Sequence, residues 1–290
     1  MDMYCSMTQD ELRVVAKNAI ENFELWARRL IDIKLVAQYG TAWYDHVENG
    51  NPLINSKFNA RIKSMLAKDP LRCPRAVDTL FIEDIVYLLC RQDLYTAFFQ
   101  PAMAGAFPQG KDEANEFLSR LVPIRNKLNH ANHISVREAE KAICYSNDFI
   151  DSLKKYYKEV GAEQVYNVPL VVKITDSLGN QFIDSQIFRN STGRGHCRPE
   201  APLDVITIGE PFTIEAEVDP SFDESTYSVA WLFENTWHEG RKFTATLNEH
   251  NVKINFTLYC RVISNQHAWH RCGDVDDSVS VTYKVIPPMH

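Results

Sequence analysis

The 290-residue sequence has no long hydrophobic run and no paired cysteine motif. No stretch approaches the roughly 18 apolar residues of a membrane span, and residues 1–12 lack the basic and apolar segments of a signal peptide. The seven cysteines are scattered and odd in number, without a CxxC pair, which argues against a disulfide framework. We therefore expect a soluble cytoplasmic protein with reduced cysteines and no membrane partner.

An excess of positive charge is also absent. Residues 1–160 carry 21 Lys/Arg and 21 Asp/Glu, whereas residues 161–290 carry 10 and 17. The acidic second part is therefore not expected to bind nucleic acid through non-specific charge attraction. If the protein binds RNA, residues 1–160 are the part expected to do so.

The sequence does contain enough apolar residues for two packed domains. Hydrophobic residues make up 45% and aromatic residues 11% of the chain, which excludes an intrinsically disordered protein. A length of 290 residues exceeds the usual size of one domain. The residue pattern changes near position 161, so we predict one domain over 1–161 and a second over 162–290.

The first domain is predicted to be all-α. Apolar residues recur at helical spacing in a long opening helix and again near 55–66, 77–92, 111–131 and 135–158. Two capping boxes, Thr8 with Glu11 and Ser135 with Glu138, mark helix starts. Short helical runs in this order indicate a helical bundle.

The second domain is predicted to be a β-sandwich. Seven segments of alternating or β-branched residues are separated by turn signals: "LVVKITD", "NQFIDSQIF", "LDVITI", "FTIEAEV", "YSVAWLF", "VKINFTLYCRVI" and "DSVSVTYKVI". Short strands at this spacing favour two packed sheets. The fold class predicted for the whole chain is therefore multidomain α and β, with an all-α bundle followed by a sandwich.

One helical segment, "PIRNKLNHANHI" at 123–134, is unusually polar. On an ideal helix its polar side chains share an arc of roughly 140°. These are Arg125, Asn126, Asn129, His130 and His133. A solvated helix face, or a helix end whose carbonyls are capped by Asn and His, would produce the same stripe.

The run "RNKLNH", Arg125 to His130, resembles the R-x4-6-H motif of the HEPN superfamily. Members of that superfamily are helical bundles, commonly dimeric and often metal-independent endoribonucleases. The long opening helix with "FELWARRLIDIKL", the "FIEDIVYLL" helix and the helix "ISVREAEKAICYSNDFIDSLKKYY" are similar to the subgroup named after a eukaryotic transcript-surveillance endonuclease. The resemblance covers about residues 8–160.

This resemblance implies an endoribonuclease site at the polar stripe. Arg125 and His130 match the catalytic pair, and Asn126 matches the polar position that often follows the arginine. Imidazole titrates near neutral pH and suits proton transfer, whereas guanidinium presents a planar fork to phosphate. Cleavage by the RNA 2′-OH then needs no metal or other cofactor, and Asn129 and His133 are the expected RNA-binding neighbours.

The resemblance further implies a homodimer formed through the first domain. One helix supplies one catalytic histidine, but strand transfer needs both a base and an acid. In the family, two protomers commonly bring their motifs together, which would supply two copies of Arg125 and His130. His133 is an alternative second group, although a capping or surface role fits it better. Lys127 points away from the stripe, so we expect its charge to be solvated.

The sequence differs from one branch of the HEPN superfamily at position 132. Position 132 is Asn, where nucleotidyltransferase-regulated HEPN toxins carry a tyrosine, so control by modification of that residue is not expected. Some HEPN domains are non-catalytic scaffolds, and a neutral domain without a basic patch is compatible with that alternative. The acidic pair Glu83 and Asp84 could support catalysis, but a salt bridge or surface role is favoured.

The second domain resembles an immunoglobulin-like sandwich in outline. Trp231 lies where such folds often place a core tryptophan, but "FTIEAEV" has no cysteine to pair with Cys260, so no core disulfide is expected. His267, His270 and Cys272 lie close in sequence, as do His196 and Cys197, but their spacing matches no common zinc module. We therefore predict no metal, and loops that bind a protein partner.

Together these features predict a HEPN-type endoribonuclease with a C-terminal domain that regulates it or recognises a partner or target. Family members often act as toxins or in antiviral defence, so a toxin or an antiviral defence effector is the role that the resemblance implies. The alternative is a non-catalytic HEPN adaptor that joins a larger complex.

Overall fold

A computed structural model describes residues 7–48, 50–70, 72–190, 192–197 and 203–288. The chain divides into two compact units, Met1–Glu163 and Gln164–His290. Helices form the first unit and strands form the second, which confirms the predicted α-then-β architecture. Cys5 lies outside the described residues.

Among its described residues, the first unit contains eight α-helices, a ninth at its boundary and a short hairpin of β1 (Val47–Glu48) and β2 (Asn51–Pro52). The helices are α1 (Gln9–Tyr39), α2 (Ser56–Lys68), α3 (Ile82–Cys90), α4 (Gln92–Leu94), α5 (Gln100–Met103), α6 (Lys111–Ser119), α7 (Leu121–Asn129), α8 (Val136–Glu159) and α9 (Glu163–Tyr166) at the unit boundary. A π-helical turn, Tyr95–Phe99, joins α4 to α5.

The two longest helices, α1 and α8, pack against each other at the centre of this unit. Both begin at the predicted capping boxes, with Thr8 and Ser135 accepting hydrogen bonds from the backbone N–H groups of Glu11 and Glu138. Their contact includes an aromatic pair, in which the rings of Phe23 and Phe149 meet edge to face with centroids 4.9 Å apart. Burial of these rings adds to the stability of the contact.

The predicted helical run 111–131 is two helices rather than one. Proline has no N–H to donate, and its ring would clash with the carbonyl four residues earlier in a continuous helix. Pro123 therefore makes a single helix unfavourable at Ser119, where α6 ends. The chain starts again as α7 after Arg120, which places Pro123 within the first turn, where proline is tolerated.

The second unit contains two sheets formed by eleven strands of the described chain. The strands are β3 (Val171–Asp176), β4 (Gln181–Ile183), β5 (Ile187–Arg189), β6 (Gly195–Cys197), β7 (Val205–Thr207), β8 (Pro211–Val218), β9 (Tyr227–Phe233), β10 (Thr236–Glu239), β11 (Lys242–Thr246), β12 (Lys253–Ser264) and β13 (Asp277–Ile286). One sheet has the order β10-β9-β12-β13-β6-β5, with β7 also paired with β13, and the other has the order β11-β8-β3-β4.

The inward side chains of both sheets form one hydrophobic core. Trp231 of β9 is fully buried in it, as predicted, and its indole N–H donates to the Arg241 carbonyl at 2.9 Å. Cys260 of β12 is buried in the same core as a free thiol.

A buried ion pair crosses the strands near the start of β13. The Arg189 guanidinium contacts the fully buried Asp277 carboxylate at 2.8 and 3.3 Å and also Asp184 at 3.3 Å. Asp277 accepts a further hydrogen bond from the Val171 N–H, and Arg189 donates to the Val171 carbonyl. Burial disfavours the charged guanidinium, but the two carboxylates outweigh it and raise the pKa of Arg189.

Candidate functional site

The polar motif lies at the C-terminal end of α7, which stops at a defined cap. The Asn132 N–H donates to the Lys127 carbonyl at 2.9 Å, and the Ala131 N–H donates to the Leu128 carbonyl at 3.2 Å. This is the Schellman arrangement, with Ala131 in the left-handed region at φ 56°. His130 is the C-cap residue of the helix.

The predicted stripe is therefore only partly helical. Arg125, Asn126 and Asn129 belong to α7, and His130 ends it, but the left-handed Ala131 redirects the chain before His133. The extrapolated arc fails for His133 because a residue with positive φ interrupts the 100° repeat. The His133 Nδ1 atom instead lies 3.2 Å from the Gln9 Oε1 atom at the start of α1.

Arg125 is held by a buried carboxylate on α1. Its Nε–H donates to the Glu24 Oε1 atom at 3.2 Å, and Glu24 is only 5% exposed. The other Glu24 oxygen accepts from the Arg28 Nη2 atom at 2.6 Å, and Arg28 also donates to the Leu80 carbonyl. Two guanidinium groups thus share one carboxylate, which leaves a net single positive charge.

The two Nη atoms of Arg125, unlike its Nε atom, are not held by Glu24. Neither Nη atom takes part in a hydrogen bond within the part of the chain that the structure describes, and the side chain is 28% exposed. A guanidinium has four N–H groups on these two nitrogens. Arg125 is therefore oriented at one edge while its fork remains able to bind an anion.

Asn126 is also held by a carboxylate. Its side-chain amide donates to the Glu83 Oε1 atom at 3.2 Å. The neighbouring Asp84 instead caps α3 through the Phe81 N–H and forms an ion pair with Arg61 at 2.5 Å. The favoured salt-bridge role thus fits Asp84, whereas Glu83 contacts the motif directly.

His130 has an exposed side chain. Its imidazole makes no hydrogen bond to any residue that the structure describes, although its backbone N–H donates to the Asn126 carbonyl. Since Asn126 and His130 are four positions apart, they are neighbours on the helix surface. The imidazole can therefore accept or donate a proton without first breaking a structural contact.

Asn129 lines a small pocket beside the motif. It has a volume of about 60 Å³, room for little more than water, and it lies between α1 and α7. Its lining consists of Lys17, Ile20, Glu21, Glu24, Arg125, Leu128 and Asn129. The pocket is therefore too small to admit a nucleotide.

Lys127 is paired rather than simply solvated. Its ammonium group lies 2.6 Å from the Glu138 carboxylate, which also completes the capping box of α8. The hydrogen bond from Lys127, followed by that from the Ser135 N–H, lowers the pKa of Glu138. This pair joins the end of α7 to the start of α8.

Glu24 is the site residue that the motif did not reveal. The sequence signal was available, since Glu24 and Arg28 are four residues apart on a helix face that also carries Ile20, Ala27 and Ile31. A carboxylate on an apolar face is uncommon unless it has a cationic partner. Nothing in the sequence identified Arg125 as its second partner.

The cysteine and histidine residues singled out in the second unit separate into different surroundings. His267 and His270 lie together, with Asp276 as the third group near them rather than Cys272. Cys272 packs instead beside Gly193, and burial raises the pKa of its thiol. Cys197 is buried in the sandwich core, where burial raises its thiol pKa to about 12.

No protein family, curated protein or solved structure matches this chain. Among the described helices, none combines the length and the hydrophobicity that a membrane crossing requires.

Proposed function

We propose that the protein is a HEPN-type endoribonuclease that cleaves RNA by attack of the 2′-OH, without a catalytic metal. The observation that carries the proposal is the state of the two motif residues. Arg125 is fixed through Nε by buried Glu24 while its Nη fork is available, and the imidazole of His130 is exposed at the end of the same helix. They supply two of the groups that the reaction needs, a proton-transfer group and a cation for the phosphate.

In the proposed reaction, the imidazole of His130 acts as the base and removes the proton from the 2′-OH. The 2′-oxygen then forms a bond to phosphorus as the bond from phosphorus to the 5′-oxygen breaks. A second group acts as the acid and protonates the departing 5′-oxygen. The products are a 2′,3′-cyclic phosphate and a 5′-OH. The Arg125 fork stabilises the charge that develops on the phosphoryl oxygens.

The remaining motif residues are proposed to position these groups. Asn126, anchored by Glu83, is a neighbour of His130 and can orient its imidazole or the substrate. Asn129 and His133 are proposed RNA contacts because both are exposed beside the motif. The second acid or base comes from His130 of a second protomer in a homodimer formed through the helical unit.

The test is a cleavage assay of the purified full-length protein on mixed RNAs. Cleavage should persist in EDTA, should vanish on a substrate whose 2′-OH is replaced by hydrogen, and should leave a cyclic phosphate end. His130→Ala should abolish it, whereas His250→Ala, an exposed histidine of the second unit, should not. Cleavage of DNA, or a strict need for added magnesium, would contradict the mechanism.

A non-catalytic adaptor is the second candidate, and one observation favours it. Arg125 is already partly neutralised by Glu24, and the helical unit as a whole has no excess positive charge. The adaptor would cut no RNA under any condition, and a protein partner would co-purify through the sandwich unit. In both cases we propose that the sandwich recognises a partner or regulates the helical unit, as in a toxin or an antiviral effector.

A further inference from the structure

The loop between β12 and β13 brings two histidines and a buried aspartate together. One potential ligand atom from each of His267, His270 and Asp276 lies within 4.8 Å of the others. Cys272, the residue that sequence spacing grouped with the two histidines, is not part of this cluster. The cluster belongs to the second unit and is separate from the motif at Arg125 and His130.

The charge on Asp276 lacks a matching cation. The carboxylate is fully buried, and its Oδ1 atom has no hydrogen-bond partner among the described residues. Its only ion-pair neighbour there is the His270 imidazole, because the nearby Arg189 and Arg271 pair with Asp277 instead. A buried carboxylate without full compensation is costly, and a bound cation would remove that cost.

The spacing of His270 and Asp276 is also close to that of two ligands of one metal ion. His270 Nδ1 and Asp276 Oδ2 are 3.1 Å apart. Two ligands of a tetrahedral zinc ion, with bonds of about 2.0 Å, are separated by about 3.3 Å. An ion can therefore replace the shared proton with little movement, and the Ser264 N–H, 2.7 Å from Oδ2, would orient the carboxylate from outside.

His267 is positioned as the third ligand. Its Nδ1 faces the Trp269 carbonyl, which can only accept, so the proton lies on Nδ1 and the lone pair on Nε2. The Trp269 indole stacks on the imidazole with planes 1° apart and centroids 3.5 Å apart. The stacking restrains the ring orientation. The ligand atoms, which lie within 4.8 Å of one another, would have to approach by up to about 1.5 Å to reach the spacing of ligands around a bound ion.

We propose that His267, His270 and Asp276 form a binding site for a divalent transition ion of the zinc type. Imidazole nitrogen and carboxylate oxygen are both zinc ligands, and three protein ligands leave a fourth position open. Both histidines are partly exposed, so this position faces solvent. The ion fastens the loop between β12 and β13 and offers its open position to a donor atom of another molecule.

The first experiment is metal binding by the wild-type protein. The full chain is stripped with EDTA, dialysed and titrated with Zn²⁺ by calorimetry, and its melting temperature is measured with and without the ion. We expect one tight equivalent per chain and a higher melting temperature. Absence of tight binding by the folded wild-type protein, without any change in melting temperature, would overturn the proposal.

Variants locate the site. Asp276→Asn and His267→Ala should each weaken Zn²⁺ binding at least roughly 100-fold, and His250→Ala and Cys272→Ser should leave it unchanged. Should a variant fail to fold, Co²⁺ bound to wild-type protein supplies a second reading, because thiolate ligation gives a sulfur-to-metal charge-transfer band. That band, or loss of binding in Cys272→Ser, would overturn the assignment of Asp276.

Discussion

At the scale of single residues, Glu24 decides how Arg125 can work. We expect Glu24→Gln to lower RNA cleavage at least tenfold, because an amide attracts the guanidinium weakly and no longer fixes it. It should also cost about 1–3 kcal/mol of stability, since a buried charge network loses its shared partner. Single-turnover cleavage and urea unfolding measure the two effects.

Glu21→Gln is the matched control, since Glu21 lies on the same helix and lines the same pocket but is exposed. It should change neither cleavage nor stability appreciably. Equal effects of the two substitutions would show that Glu24 contributes only general charge. A stability loss in Glu24→Gln without any loss of activity per folded molecule would show that it is purely structural.

Ala131 occupies a backbone conformation that suits glycine. A left-handed residue with a Cβ costs about 1–2 kcal/mol, whereas glycine adds roughly 0.4–1 kcal/mol of chain entropy in the unfolded state. Ala131→Gly should therefore stabilise the protein by about 0.5–1 kcal/mol in urea unfolding. Ala60→Gly, on the exposed face of α2, should destabilise it by about 1 kcal/mol. Destabilisation by both would contradict the cap assigned to α7.

The sequence predicted the starts of helices better than their ends. Both capping boxes were visible because the two residues that form each of them are three positions apart. The end of α7 was not visible, because Ala131 is an unusual residue for a left-handed position and the expected glycine is absent. The position of His133 was therefore wrongly extrapolated, although Arg125, Asn126 and Asn129 were placed correctly on one helix.

At the scale of elements, the junction of α7 and α8 is sensitive to pH. The pKa of Glu138 is lowered in the folded protein. The stability that this group contributes is therefore fully present above the pKa of an unperturbed glutamate, about 4.3, and is lost as the pH falls through the lowered pKa. Lys127→Met should raise the pKa of Glu138 and move this loss to higher pH. Carboxyl NMR titration measures the shift.

Lys155→Met is the control for that experiment. Lys155 lies on α8 but pairs with Glu159 at the other end of the helix. It should leave the titration of Glu138 unchanged. If Lys127→Met also leaves it unchanged, the Ser135 cap alone holds the carboxyl group in its charged form.

In the second unit, the residue pattern predicted most of the strands but missed those with little or no alternation of buried and exposed residues. All seven predicted segments contain strands, but β6, β10 and β11 were missed. β6 has only three residues, β10 is exposed along its whole length, and β11 buries one side chain. Such strands are specified by pairing with neighbours, such as β9 for β10, and not by their own alternation.

The buried pair of Arg189 and Asp277 ties β5 to β13 and to the β3 backbone. Asp277→Asn or Arg189→Met should each cost about 3–5 kcal/mol, because either change leaves a buried charge without its partner. Lys173→Met, which breaks the exposed pair with Glu217, should cost less than about 1 kcal/mol. Urea unfolding of the three variants decides this, and a cost for Asp277→Asn as small as that for Lys173→Met would contradict it.

At the scale of the whole molecule, the proposed chemistry requires two copies of the chain. In the proposed mechanism one protomer offers His130 as a single catalytic imidazole, but the reaction needs a base and an acid, so we propose a dimer of helical units as the functional unit. The acidic second unit is not expected to hold RNA by charge, which leaves the neutral helical unit to recognise it. A cleft shared by two copies of Arg125 would double the positive charge that meets the phosphate.

A shared cleft can be tested by mixing wild-type and His130→Ala chains in equal amounts. After random exchange about a quarter of the dimers keep two native His130 groups, so cleavage should fall to about a quarter of the value for wild type alone at the same total chain concentration. Protomers that act independently would retain about half. Light scattering must show that the wild type is a dimer, and full activity from a monomeric wild type would refute shared catalysis. His130→Ala alone should change unfolding stability by no more than about 0.5 kcal/mol because its side chain is exposed. The loss of activity on mixing therefore reports the catalytic groups and not the unfolding of an unstable chain.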